Sequence, residues 1–157
     1  MLQHQIKFLK GFTLLELLIV IAIIGILSAV ILTRYPIAFN QGKDARIMSD
    51  LSQFRVQAGI VYQGDRNFNN VNCTIAGNIC TCSSSILNTL CNNAQKYSDQ
   101  TLIFLRNTDR QGFCMVAHLP GDRDYFCIDG KLYAKRYPVA PPTCAATCVS
   151  TNNCRCE

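Results

Sequence analysis

The 157-residue chain has room for one domain of ordinary size, and its formal net charge is +5. Only 16% of its residues are charged, which is low for a soluble domain. Removal of Lys7 and Lys10 with a leader would lower the net charge to +3, too little to indicate nucleic-acid binding without a basic stripe or patch.

A short basic leader, residues 1–11, precedes an apolar segment, residues 12–33, in which Glu16 is the only charged residue. As an α-helix this segment would be roughly 33 Å long, matching a hydrocarbon core of about 30 Å. A secretory signal peptide also starts with basic residues. However, its apolar run is only about 7–15 residues long and ends at an A-x-A-like site, which is not evident here. We therefore expect a helix that spans a membrane.

Glu16 has two interpretations. A charge at the centre of a membrane helix costs about 2.5–3.5 kcal/mol, and less near the end of the span. The first interpretation is a glutamate at a helix start, favoured by the helix dipole. The second is a carboxylate that pairs with a cation of another chain, since opposite charges attract strongly in a low dielectric.

The sequence KGFTLLE at residues 10–16, followed at once by the apolar run, resembles the prepilin peptidase site of type IV pilins and related pseudopilins. The resemblance is close over the leader and first helix, and extends to the rest only in layout. It implies that Gly11 precedes the cleaved bond and that Phe12 becomes an N-methylated N-terminus. It also implies that Glu16 neutralises the Phe12 amine of a neighbouring subunit. Pilins usually carry a helix-kinking proline past the membrane segment; Pro36 lies a few residues later, and we expect a bend there.

The cysteines indicate an oxidising compartment. They are Cys73, Cys80, Cys82, Cys91, Cys114, Cys127, Cys144, Cys148, Cys154 and Cys156. An even number of cysteines in a small domain predicts disulfides. Basic residues flank the apolar segment on both sides, so the cysteines decide the orientation. We expect a single pass through the cytoplasmic (inner) membrane, with the C-terminal domain outside the cytoplasm and later in an extracellular filament.

Residues 34–62 are predicted to form the amphipathic half of the same helix. Its apolar stripe, which we expect to pack on the protein's own sheet, comprises Ile47, Leu51, Phe54, Ala58 and Ile60 or Val61. The opposite face comprises Arg46, Asp50, Arg55 and Gln57. Residues 63–100 are predicted to be a cysteine-rich connecting loop, with at most a short serine-capped helix near residues 83–91.

Residues 101–136 are predicted to form an antiparallel β-meander, with strands at 101–106, 112–119, 124–129 and 131–136. If Pro120 and Gly121 form a two-residue turn, Cys114 lies opposite Cys127 and the two can form a disulfide. A four-residue turn would shift the pairing by two and separate them. Residues 137–157 form a cysteine-rich tail. In pilins a C-terminal loop is commonly closed by a disulfide. Together these elements predict an α+β fold of the type IV pilin kind.

Other chemistries have weaker support. The histidines are His4, in the leader, and His118, expected in a strand facing solvent or at an edge, so we expect no catalytic site. We expect no cofactor. Three aspartates near turns are weak calcium candidates, although aspartates in such places are usually only turn residues: Asp122, Asp124 and Asp129. Six basic residues could form a surface that binds the DNA backbone, but a solvated strand face explains them equally well. They are Arg106, Arg110, Arg123, Lys131, Lys135 and Arg136, with Tyr133 and Tyr137 between them.

We therefore expect a non-enzymatic structural subunit of a type IV pilus or a similar filament, built from copies of this chain or mixed with other pilins. Its expected partners are the membrane, a prepilin peptidase, an inner-membrane assembly platform and a separate ATPase, because the chain has no Walker A sequence. The alternative is a membrane-tethered, cysteine-rich binding module that does not polymerise.

Overall fold

The computed structural model of the protein describes residues 11–107, 109–138 and 156. The predicted leader up to residue 10, most of the predicted tail, and with them Cys144, Cys148 and Cys154, lie outside the described residues. The chain forms two compact units that divide after Pro36. Helix α1, Leu14–Asp65, continues through that proline, and the expected bend stays a prediction.

The second half of α1 contributes one face to the core of the globular unit. Ile47, Leu51, Phe54 and Ala58 are fully buried, as the predicted stripe requires. The assignment of Asp50 to the solvated face is wrong, because this residue is also buried. Asp50 lies three positions after Ile47 and four before Phe54, and residues at these spacings share a helix face.

The stretch predicted to be a connecting loop is ordered secondary structure. Strands β1, Cys73–Ala76, and β2, Ile79–Cys82, form an antiparallel hairpin, and helix α2 follows at Ser85–Tyr97. Gly77 adopts φ 59° at the hairpin turn, a conformation that glycine adopts without steric cost. The predicted helix exists, but its N-cap Ser84 makes no side-chain capping bond.

The predicted meander is confirmed as a four-stranded antiparallel sheet in the order β3-β4-β5-β6. Its strands are β3 Ile103–Arg106, β4 Phe113–Leu119, β5 Asp124–Asp129 and β6 Ala134–Tyr137. On the core side, the Phe54 ring from α1 meets the rings of Phe104 and Phe113 at edge-to-face angles, with centroids 6.4 and 6.0 Å apart.

The connection between β4 and β5 is a four-residue turn, because Leu119 pairs with Asp124. This register places Cys114 opposite Asp129, and Cys127 opposite Val116. Cys127 forms its disulfide with Cys156. The predicted Cys114–Cys127 pairing is therefore wrong, for the physical reason that a longer turn moves the partners by two residues.

Candidate assembly site

The first turn of α1 is closed by a reciprocal pair of hydrogen bonds between Thr13 and Glu16. The backbone nitrogen of Thr13 donates to Glu16 Oε2 at 2.9 Å, and the backbone nitrogen of Glu16 donates to Thr13 Oγ1 at 3.2 Å. The Thr13 hydroxyl also donates to the same carboxylate oxygen at 2.9 Å. This is a capping box, in which a threonine N-cap and a glutamate three residues later satisfy donors left unpaired at a helix start.

The helix that follows this turn is apolar and exposed. Phe12 is 81% exposed, and an 18-residue window of α1 has a mean hydropathy of 3.0 with none of it buried. By length and composition, α1 is the one helix in the described part of the chain able to cross a membrane. So much exposed apolar surface requires lipid or the helices of other molecules to cover it.

Gly11 lies in open space, and an added Cβ there would meet no atom within 4 Å. No steric contact therefore requires glycine at this position. Glu16 and Phe12 are likewise exposed, so the three residues singled out in the sequence remain accessible to a partner molecule.

The cysteines of the globular unit form a covalent framework around the hairpin and the sheet. Cys73 and Cys82, directly opposite each other on β1 and β2, form one disulfide with Cα atoms 4.1 Å apart. Cys80 on β2 is joined to Cys91 on α2. Cys114 is also disulfide-bonded, and no free cysteine is found in the described part of the chain.

Two asparagines on α2 bind the outer edge of strand β2. Asn92 accepts from the backbone nitrogen of Cys80 at 3.0 Å and donates to its carbonyl oxygen at 2.8 Å. One turn earlier, Asn88 Oδ1 accepts from the backbone nitrogen of Cys82 at 3.0 Å. The side chains of α2 thus take the place of a neighbouring strand along this edge. The sequence spacing of the two asparagines, four residues on a helix, was a signal for a shared face that our sequence analysis missed.

The structure does not bring the three calcium candidates together. Asp122 and Asp124 both bind the guanidinium group of Arg136, with Asp124 Oδ2 2.6 Å from Nε. Asp129 lies at the opposite end of β5, about 17 Å from Asp124 at the usual rise per strand residue. Its buried carboxylate accepts backbone hydrogen bonds from Lys131, Tyr133 and Cys156. These aspartates are therefore occupied by protein donors, and the described residues contain no cluster of three metal-ligand side chains.

Two members of the candidate basic surface have partners within the protein. Arg106 donates to the carbonyl oxygens of Phe68 and Asn69, and Arg136 is neutralised by the two aspartates. The charge available for a DNA backbone is correspondingly reduced. His118 is buried rather than facing solvent, and its Nδ1 lies 2.5 Å from Asp99 Oδ1.

An exposed apolar helix with a carboxylate in its first turn and a disulfide-linked α+β unit together form an α+β fold of the type IV pilin kind. A sequence-family model described as the prokaryotic N-terminal methylation motif matches residues 9–32. The chain is 48% identical over 46 residues to type IV major fimbrial protein FimA of Dichelobacter nodosus, which is 29% of this chain and 30% of FimA. It is 49% identical over 43 residues to fimbrial protein Q of Moraxella bovis, 27% of each chain.

The N-terminal segment of the chain therefore carries the prokaryotic N-terminal methylation motif and is similar to the same segment of type IV fimbrial proteins. The matches span less than a third of the length of these relatives. No solved structure gave a significant match.

Proposed function

We propose that this chain is a pilin subunit. It is cleaved between Gly11 and Phe12 by a prepilin peptidase, methylated on Phe12, held in the inner membrane by a single helix, and polymerised into an extracellular filament. An assembly platform and a separate ATPase drive this polymerisation. Glu16 neutralises the amine of Phe12 on a neighbouring subunit as the apolar helices pack against each other.

The observation that carries the proposal is the exposed apolar segment, residues 12–33, with Glu16 as its only charge, most of which lies within the match to the N-terminal methylation motif. A new amine at Phe12 would lie among apolar helices after assembly. An uncompensated charge in such surroundings costs about 3–5 kcal/mol, which gives the carboxylate a strong role in selecting the register of assembly.

Substitution at Glu16 separates ion pairing from helix capping, because glutamine also serves as the third helical residue of a capping box. We expect Glu16→Gln to insert into the membrane normally but to reduce filament yield at least tenfold. Thr13→Val, which removes the capping hydroxyl and keeps the carboxylate, is the matched control and should assemble. Filament yields of Glu16→Gln equal to the wild type would contradict the pairing.

Processing is tested by the N-terminal sequence and mass of the protein from membranes and from sheared extracellular material. We expect a chain that begins at Phe12, one methyl group heavier than calculated after allowance for two hydrogens lost per disulfide. A chain that keeps its leader and stays in the membrane fraction would instead support the tethered binding module.

A further inference from the structure

Two adjoining cavities lie where the second half of α1 meets α2. The first, of about 310 Å³, is lined by Ala38, Phe39, Gly42, Lys43, Arg46 and Tyr97. The second, of about 150 Å³, is lined by Arg46, Asp50, Asn93, Lys96 and Tyr97. We call the cations and rings of these cavities the basic-aromatic patch, comprising Lys43, Arg46, Lys96, Phe39 and Tyr97.

The cations of the patch are held close to its aromatic rings. Lys43 Nζ lies 4.7 Å from the centroid of the Phe39 ring, and Lys96 Nζ lies 5.7 Å from that of Tyr97. Both distances are within the range of cation–π contacts. Tyrosine is enriched at both membrane–water interfaces, where its amphipathic ring sits at the level of the headgroups.

Acidic side chains nearby do not cancel this charge. Among the described residues lining the two cavities, Asp50 is the only acidic one, and it is buried. Burial raises the pKa of Asp50, against a smaller opposing effect of Arg46. The adjacent Asp44 is also buried, and its carboxylate accepts backbone hydrogen bonds from Gly121 and Asp122. The accessible charge of the patch is therefore positive.

The patch follows the apolar segment closely along the chain. Lys43 comes ten residues after Thr33 in the sequence. Ten residues reach at most about 33–36 Å even when fully extended, so the chain itself holds this cation within that distance of the end of the apolar segment. An anionic surface attracts basic residues that come within about a Debye length of it, roughly 8 Å at physiological salt.

We propose that the basic-aromatic patch binds the phosphate headgroups of anionic lipids while the subunit is stored in the membrane. This inference rests on the proposed membrane storage. The contact would be lost when the subunit leaves the bilayer, so the lipid composition of the membrane would influence how readily subunits are extracted.

Lipid selectivity of the full chain in vesicles tests the proposal. Spin-labelled phosphatidylglycerol and phosphatidylcholine each report the fraction of lipid that is motionally restricted at the protein surface. We expect phosphatidylglycerol to be preferred several-fold at low salt, since each basic residue near an anionic surface contributes up to about fivefold. The triple variant Lys43→Gln, Arg46→Gln and Lys96→Gln should lose most of this preference.

A matched control removes three other cations through Arg110→Gln, Arg123→Gln and Lys131→Gln, and should keep the preference. Equal preferences in the two triple variants would overturn the proposal. So would loss of binding to an added DNA duplex in the patch variant with its lipid preference unchanged, which would assign the patch to DNA. Absence of any restricted lipid around the wild type would instead contradict membrane storage itself.

Discussion

Asp44 on helix α1 accepts a hydrogen bond of 2.9 Å from the backbone nitrogen of Gly121, 77 residues further along the chain. The other oxygen of the same buried carboxylate accepts from the nitrogen of Asp122 at 3.2 Å. One side chain of α1 thus holds the four-residue turn between β4 and β5. That turn sets the strand register, and the register decides which residues face Cys114 and Cys127.

Removal of the Asp44 carboxylate should destabilise the globular unit. We expect Asp44→Ala to lower the free energy of unfolding by about 2–3 kcal/mol, because hydrogen bonds to a charged group contribute more than neutral ones and two backbone donors are left unpaired. Asp44→Asn keeps one acceptor and should lose less. Urea unfolding of the full chain in detergent micelles measures both. Equal stability of Asp44→Ala and wild type would show that the turn holds its conformation without α1.

Gly121→Ala tests the same contact from the other side. A Cβ at Gly121 would collide with Asp44 Oδ2 and come within 3.0 Å of the backbone carbon of Asn40, so we expect a marked loss of stability. Gly42→Ala is the matched control. Its added Cβ meets no atom within 4 Å and it lies within α1, so it should stabilise the protein by about 0.5–1 kcal/mol.

The C-terminal end of α1 carries backbone strain that glycine would relieve. Arg66, directly after the helix, has φ 55°, and its nitrogen donates to the carbonyl oxygen of Tyr62 at 2.7 Å. Glycine is the residue that usually occupies this left-handed position. We expect Arg66→Gly to raise the thermal midpoint, with a gain of about 0.5–1 kcal/mol. Arg66→Ala removes the same charge but keeps the strain; a midpoint equal to that of Arg66→Gly would refute this explanation.

Asp50 predicts a specific pH dependence. Burial raises its pKa in the folded protein, so its neutral form is favoured there and its charged form opposes folding. The favourable contribution is complete below the unfolded-state pKa of about 3.9 and is lost as pH rises through the higher folded-state pKa. Asp50→Asn should therefore gain stability relative to wild type as pH rises from 3 to 7. Thermal midpoints of the wild type and the variant, measured between about pH 3 and pH 7, check this. A difference in midpoint that does not change with pH would exclude Asp50 as the source of the pH dependence.

Disulfide mapping should recover Cys73–Cys82, Cys80–Cys91 and Cys127–Cys156. The bond from Cys127 spans 29 residues of sequence, and a loop of this length implies a stabilisation of about 3.6 kcal/mol. The paired substitution Cys127→Ser with Cys156→Ser should lower unfolding stability by about that amount. A linked peptide containing Cys114 and Cys127 would contradict the strand register.

The sequence predicted the helices correctly where an apolar pattern with a regular spacing, or an uninterrupted apolar run, extended over many residues. The buried stripe from Ile47 to Ala58 follows from helical spacing, and the exposed helix after Glu16 follows from uninterrupted apolar sequence. The predictions failed where one turn decided the outcome. The Cys114–Cys127 pairing depended on two residues of turn length, which the Asp44 carboxylate influences from far away in sequence.

The hairpin of β1 and β2 was missed for a different reason. Its strands are only four residues long, and three of their eight residues are cysteines whose burial depends on the disulfides themselves. Asp50 was assigned to the face opposite the apolar stripe because it is charged, although its spacing from Ile47 and Phe54 places it on their side of the helix. The free energy of burying it is offset by the rest of the core, which no local pattern reveals.

Asn88 and Asn92 also bear on how the protein avoids uncontrolled association through an exposed strand edge. An unoccupied strand edge recruits strands from other molecules and leads towards amyloid-like stacking. At Cys80 and Cys82 the backbone groups that would start such growth are already engaged by the asparagine side chains. Substituting these asparagines would expose that edge and remove a safeguard against aggregation through it.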